Sequence, residues 1–179
     1  MNLYKITQVL LMALVTSLPL CAQAQKLASQ NWVVDLNGQK NEAYTANDSK
    51  SSFGVFCSGE KCLFYLHQAL KCDPGAKYSV LMNSQVISTA LSMECTQIGG
   101  NLFQILDPFE AVLKATQTGE MIGFAVALQS GAFAVTRFSL AGAKPAIERA
   151  LLEAAKSKFR DQKPPPENTP KSTLKDIAI

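Results

Sequence analysis

A mainly β fold, a sandwich or a small barrel with one short internal helix and one carboxy-terminal helix, is predicted by three observations. Short apolar segments of strand length recur along the chain. Turn signals rich in Gly, Asn, Asp, Pro and Ser separate them at near-regular spacing. No βαβ alternation and no glycine-rich phosphate loop breaks the pattern.

Taken in order, Asn31 to Leu36 reads as a short strand, ended by the turn signal Asn37-Gly38. Lys40 to Ser52 is polar and reads as a loop, with Asn47-Asp48-Ser49 forming a glycosylation sequon. Phe53 to Cys57 and Cys62 to Leu66 read as a hairpin around Ser58-Gly59-Glu60-Lys61. Cys72-Asp73-Pro74-Gly75 is a turn, and Tyr78 to Met82 is a strand that turns at Asn83-Ser84-Gln85. From Val86 to Thr96 the chain alternates, with Ile87, Thr89, Leu91, Met93 and Cys95 on one face. Ser88, Ala90, Ser92 and Glu94 occupy the other, and Gly99-Gly100-Asn101 closes the strand.

Leu102 to Leu106 reads as a further strand. Asp107-Pro108-Phe109-Glu110 then opens a helix, with Asp107 as cap, Pro108 in the first turn and Glu110 completing a capping box. Phe109, Val112 and Leu113 face the core, and Gly119 ends the helix. Met121 to Leu128 reads as a buried strand. Ala132 to Leu140 is the last, with Phe133, Val135 and Arg137 opposite Ala134, Thr136, Phe138 and Leu140. Pro145 to Arg160 reads as a helix with Ile147, Ala150, Leu151, Ala154 and Lys158 in one register. Pro164-Pro165-Pro166 and Pro170 end regular structure, so residues 161–179 are expected to be a disordered Pro/Lys tail.

The amino terminus carries an address. Lys5 is the only charge before an apolar run from Val9 to Leu20, and Ala22-Gln23-Ala24 supplies the small-x-small pattern that a signal peptidase accepts. A Sec-type signal peptide over residues 1–24, cleaved after Ala24, is expected. The run is too short for a membrane span, which takes roughly 20 residues. Leu20 stands where a lipid-attachment pattern at Cys21 wants a small residue. The mature chain is then a single domain over residues 25–160, periplasmic or secreted. It has no transmembrane segment, and the 47% apolar content of the whole sequence is ample for a core. The formal net charge of +3 is carried from Ala143 onward, where eight Lys or Arg stand against five Asp or Glu. Gln25 to Gly142, with eight against nine, is near neutral and offers no basic face for nucleic acid.

Cleavage removes Cys21 and leaves Cys57, Cys62, Cys72 and Cys95. An even set in an exported chain reads as a disulfide framework. Three pairings are possible. Cys57–Cys62 with Cys72–Cys95 is favoured, because Cys57 and Cys62 flank the hairpin turn. A zinc site is disfavoured: there is no CxxC pair, and His67 is the only histidine. No cofactor is expected.

Signals for catalysis are sparse. His67 ends a strand and lacks a nucleophile elbow or activated thiol as partner. Asp35, Asp48 and Glu94 have no spacing that pairs them. Trp32, Phe53, Phe56, Phe64 and Tyr65 read as core and cross-strand packing before they read as a ligand cleft. Arg137 reads as solvent-facing. Lys163, Lys171 and Lys175 in the tail are placed to touch an anionic surface, although a solvated linker is the simpler reading.

Several features together resemble a known family. These are the Trp32 strand, the Cys72-Asp-Pro-Gly75 turn, Cys95 on a later strand, a short helix, and Phe138-Ser-Leu-Ala-Gly142 followed by Ala146-Ile-Glu-Arg-Ala150. The order resembles the invasion-associated locus B family of exported bacterial proteins, over about Trp32 to Leu152. Ala143 stands where that family's pattern has Phe. The resemblance implies an immunoglobulin-like β-sandwich in the periplasm or envelope, and no catalytic residue. The Asn47-Asp-Ser49, Phe53-Gly54, Cys57 and Cys62 order is also similar to uncharacterised periplasmic proteins.

The function expected is therefore non-enzymatic: an envelope or secreted protein, with a host-facing or envelope role, that binds another macromolecule, a protein partner above all. The first alternative is an inhibitor or accessory factor for a secreted enzyme or secretion apparatus. The second is a hydrolase using His67.

Overall fold

The computed structural model describes residues 25–161 except 39, 71 and 99, with side chains for all of these but 25 and 157–161. The fold is mainly β. Its ten strands are β1 (Gln25–Ser29), β2 (Trp32–Asn37), β3 (Lys40–Ala46), β4 (Ser52–Ser58), β5 (Lys61–His67), β6 (Lys77–Ser84), β7 (Ser88–Ile98), β8 (Asn101–Asp107), β9 (Met121–Ala127) and β10 (Phe133–Ser139). A short helix, α1 (Phe109–Ala115), lies between β8 and β9, and α2 (Ala143–Asp161) ends the described chain. The expected signal peptide and most of the expected tail lie outside the described residues.

All ten strands join one antiparallel sheet in the order β1-β2-β3-β4-β5-β8-β7-β6-β9-β10. The sheet curls until its two halves face each other, as a twisted sheet of this many strands tends to do. Phe53 on β4 touches Phe124 on β9 and Phe138 on β10, with ring centroids 5.2 and 5.7 Å apart. It also packs on Trp32 and Phe64. Strands five and six places apart in the sheet therefore share one core, which is the layout of a sandwich whose layers remain continuous.

The seam between β10 and the start of the sheet is held by polar contacts rather than by a ladder. Trp32 Nε1 donates to Ser139 O at 2.9 Å, Asn31 N to Ala141 O at 3.2 Å and Asn47 Nδ2 to Arg137 O at 3.2 Å. Inside, Thr136 Oγ1 donates to Gln68 Oε1 at 2.8 Å. At the end of the seam, Ser29 Oγ donates to Gly142 O. Gly142 has φ 87°, and a Cβ there would collide with Ser29 O, so glycine is required on both counts.

Helix α2 packs on β1 to β5 and covers the inner face of that half. Ala143, Ala146, Ile147, Ala150 and Ala154 are its buried residues, with Leu151 half-buried beside them. Across from it lies buried Ala43 on β3. Alanine against alanine lets helix and sheet approach closely, which explains the small side chains on both.

That packing also corrects one expectation. Residues 40 to 52 were expected to form a loop, yet 40–46 form β3, with Asn41, Ala43 and Thr45 buried in alternation. The alternation is one of burial, not of hydropathy. The inward side chains must be small to admit α2, and the polar ones among them bond locally: Thr45 Oγ1 donates to Asn31 O at 2.8 Å. Strand β1 was likewise not expected, because it is a polar sheet edge paired only with β2. A third correction concerns α1. Asp107 does not cap it: Asp107 is the last residue of β8, the N-cap is Pro108, and no side chain bonds the cap. The Asp107–Pro108 peptide is cis. Val112 and Ala115 are the buried residues of α1, with Phe109 and Leu113 packed against the core.

Candidate interaction surface

The disulfides join Cys57 to Cys62 and Cys72 to Cys95. Cys57 and Cys62 are direct register partners on β4 and β5, with Cα atoms 4.1 Å apart. The other bridge ties the Cys72–Ala76 turn to β7. Backbone bonds reinforce it, from Gly75 N to Cys95 O and from Cys95 N to Ala76 O. Among the described residues no three His, Cys, Asp or Glu side chains gather as a metal-binding group. No described helix is long and apolar enough to cross a membrane.

Of the aromatic side chains weighed in the sequence, Trp32, Phe53 and Phe64 lie fully buried in the core. Phe56 and Tyr65 point to the outer face of β4 and β5, away from Phe53 and Phe64. Tyr65 Oη donates to Glu42 there, and an apolar hollow of about 170 Å³ lies beside the pair, lined also by Phe56, Leu63, Phe103 and Ile105. Burial, followed by the Glu42 carboxylate, raises the Tyr65 hydroxyl far above the usual tyrosine value. Gly54 faces both Tyr44 and Tyr65 in register, and a Cβ on it would press into Tyr44 and Ala43 O.

His67 sits at the edge of this region. Its Nδ1 lies 3.2 Å from Leu102 O and its ring packs on Phe103. Ser52 is its register partner. The hydrogen bond His67 makes is thus to backbone, not to that hydroxyl. The three carboxylates weighed in the sequence do not meet. Asp35 pairs with Lys26 at 3.5 Å, Glu94 with Lys77 at 3.6 Å, and Asp48 is exposed in the β3–β4 turn. The carboxylate beside Asp35 in register is Glu42, which sequence reasoning did not single out. Asn47 of the sequon is structurally engaged: its Oδ1 accepts from Ser49 N and Ser51 N while its Nδ2 reaches β10.

The outer face of β6, β9 and β10 has a different character. Two rows cross it in register. Ala90, Leu81, Ala125 and Val135 form one, and Ser88, Asn83, Gly123 and Arg137 the next. Phe133 and Met121 extend the face at either end of β9 and β10. Phe133 is 59% exposed, Leu81 and Val135 52% each, and Met121 47%. Gly123 and Ala125 lower the middle of the face and leave a shallow hollow of about 360 Å³. Arg137 is exposed, the one charge in the two rows, and its stem lies over Gly123. Scattered surface apolar residues are normal, whereas Leu81, Ala125, Val135 and Phe133 form a contiguous set on adjacent strands. The signal was present in sequence: Phe133 and Val135 alternate with Phe138 and Leu140, so the segment is apolar on both faces.

The fold defines a class, a disulfide-linked, curled antiparallel sheet closed by a helix. Within it the chain is similar to invasion associated protein B from Bartonella henselae, a crystal structure, with a TM-score of 0.54 at 13% identity. The match covers 74% of this chain and 99% of that one. At this identity the likeness is one of fold. No family model and no curated protein matches the chain.

Proposed function

We propose that this chain is exported, loses residues 1–24, and acts in the periplasm or outside the cell by binding another protein. The contact is made through the outer face of β6, β9 and β10. The observation that carries the reading is the exposed row of Leu81, Ala125 and Val135, flanked by Phe133 and Met121 and holding one charge. Depletion of charge with apolar and aromatic side chains at the centre is the composition of an interface core. Arg137 at its margin fits a rim position, where it would meet an acidic group of the partner. Two disulfides support the extracytoplasmic part of the proposal, since such bonds persist in oxidising compartments.

The export step is tested by amino-terminal sequencing of protein recovered from the envelope fraction, which should begin at Gln25. The binding step is tested by the double substitution Leu81→Glu with Val135→Glu. It should abolish co-isolation of the partner while the circular dichroism spectrum stays unchanged. Retained binding would rule this face out.

A second reading, a hydrolase centred on His67, is favoured by the register of Ser52 with His67 and by Glu42 close by. Turnover of an ester, glycoside or peptide that disappears in His67→Ala would establish it. Absence of such turnover leaves the binding reading.

A further inference from the structure

The two edges of the sheet, β1 and β10, are not equivalent. β1 carries an exposed Lys26, the kind of charge that keeps foreign strands off an edge, and ends on Ser29, which bonds Gly142. Between Phe133 and Thr136, β10 carries no charge and no proline, and its register with β9 runs without a bulge.

The hydrogen bonding of β10 can be followed residue by residue. In an antiparallel ladder alternate residues turn both main-chain groups to the same neighbour. Just outside the two ends of β10, Leu128 N donates to Ala132 O at 2.8 Å and Leu140 N to Glu120 O at 2.7 Å, so Ala134, Thr136 and Phe138 face β9. Phe133, Val135, Arg137 and Ser139 therefore turn their main-chain groups to the open edge. Trp32 Nε1 meets Ser139 O and Asn47 Nδ2 meets Arg137 O. Nothing among the described residues bonds the main chain of Phe133 or Val135 on that side. Their N–H and C=O groups stand in a row along the rim of the apolar outer face.

We infer that the edge of β10 at Phe133 and Val135 takes up an extended segment of the protein partner as an added antiparallel strand. The inference rests on the reading that the outer face of β6, β9 and β10 binds a protein, and it names the conformation and chemistry of what binds. A row of alternating main-chain donors and acceptors is met by another main chain, while side chains at alternate positions select the segment. The side chain opposite Val135 extends the row of Leu81, Ala125 and Val135, so it is apolar, as is the one opposite Phe133. The side chain opposite Arg137 lies beside the guanidinium and is acidic. The residues between them point inward beside half-buried Ala134 and Thr136, which suits small polar groups. Asn47 closes the edge at Arg137 O, so the added strand stops there. The segment thus reads acidic, small, apolar, small, apolar.

The probe is an acetylated peptide amide of sequence Glu-Thr-Val-Thr-Leu, titrated into the disulfide-intact mature chain and followed by protein-observed NMR. It should bind saturably at about millimolar concentration, as fits one short strand, shift the Phe133 and Val135 amides and slow their hydrogen exchange. Two methylated peptides separate main chain from side chains. Methylation of the Val nitrogen, which faces the edge, should weaken binding about tenfold, because Val135 O is left unmet. Methylation of the following Thr nitrogen, which faces away, should leave binding nearly unchanged. Equal affinity of the two methylated peptides, no saturable binding of the parent peptide, or shifts away from β10 would each overturn the inference. A dimer of the chain that protects the same amides would overturn it too, since a second copy would then hold the edge. The outer face is tested separately by Leu81→Glu with Val135→Glu. Partner loss in that variant, with equal affinity of the methylated peptides, would remove the added strand and leave the face. Partner binding that survives it, with the methyl discrimination intact, would remove the face and leave the edge.

Discussion

The two halves of the sheet spend their faces differently. In β1 to β5 the inner face is covered by α2, and the outer face carries paired polar groups: Lys26 with Asp35, and Tyr65 with Glu42. In β6 to β10 no helix covers the inner face in the same way, so the sheet packs there on the first half through Phe124 and Phe138 and leaves a hollow at one end beside Leu70, Tyr78 and Leu128. Its outer face is apolar and exposed. The first half reads as the half that holds the molecule together, and the second as the half that meets other molecules. A sheet with one ordinary solvated face alternates apolar with polar. Both halves depart from that rule, but on β4, β5 and β8 the outer apolar side chains Phe56, Leu63, Phe103 and Ile105 are half-buried around a hollow, whereas Leu81, Phe133 and Val135 on β6 and β10 stand exposed.

The comparison breaks most severely at the point where both halves meet. Phe53→Ala should cost about 4 kcal/mol, the range for a fully buried phenylalanine. Because Phe53 touches rings from both halves, urea unfolding should remain one transition with a lower midpoint. Two separate transitions would mean that the halves fold independently.

Next in size are the disulfides. Cys72→Ser with Cys95→Ser should cost about 3 kcal/mol, and Cys57→Ser with Cys62→Ser about 2 kcal/mol, from the loop lengths of 23 and 5 residues. Hydrogen exchange should locate the first loss in β6 and β7 and the second in β4 and β5. Loss of protection spread evenly over both halves would blur the distinction.

A smaller effect concerns pH. The Tyr65 hydroxyl titrates far higher in the folded chain than its usual value of 10.0. Below pH 10 both states keep the proton and this contribution is constant. Above it the unfolded chain releases the proton first, so stability falls as pH rises. Tyr65→Phe should flatten that fall, measured as urea midpoints between pH 9 and roughly 11. An equal slope in the variant would place the titration elsewhere. The smallest effect belongs to the exposed face: Leu81→Ser should change stability by no more than about 0.5 kcal/mol, because the side chain is half-exposed. A loss of several times that would make Leu81 a core residue and remove it from the interface.

Much of this fold was legible in the chain. The hairpin of β4 and β5 announces itself as two apolar runs around Ser58 to Lys61, and β7 alternates clearly from Leu91 to Cys95. Strand β3 was not legible because α2 dictates small and polar inward residues, a tertiary demand that no local pattern carries. Asp107 misled for a similar reason: its sequence neighbours fit a cap, while pairing with Ser92 keeps it in the sheet. The apolar outer face was half legible. The alternation of β10 separated Phe133 and Val135 from Phe138 and Leu140, but only the register with Ala125 and Leu81 makes them one surface. The burial of Gln104 gave no signal, since a glutamine in a strand reads as solvent-facing until its neighbours are known.

On the function proposed above, the outer face of β6, β9 and β10 meets a different protein. A photo-crosslinking residue placed at Val135, at Leu81 and, as control, at Lys40 on the first half tests it in the cells that make the protein. Positions 135 and 81 should give one adduct of the same mass and position 40 none, and the adduct should be lost when Leu81→Glu accompanies the probe at 135. No adduct at either position, an equal adduct at 40, or an adduct made only of two copies of this chain would contradict it.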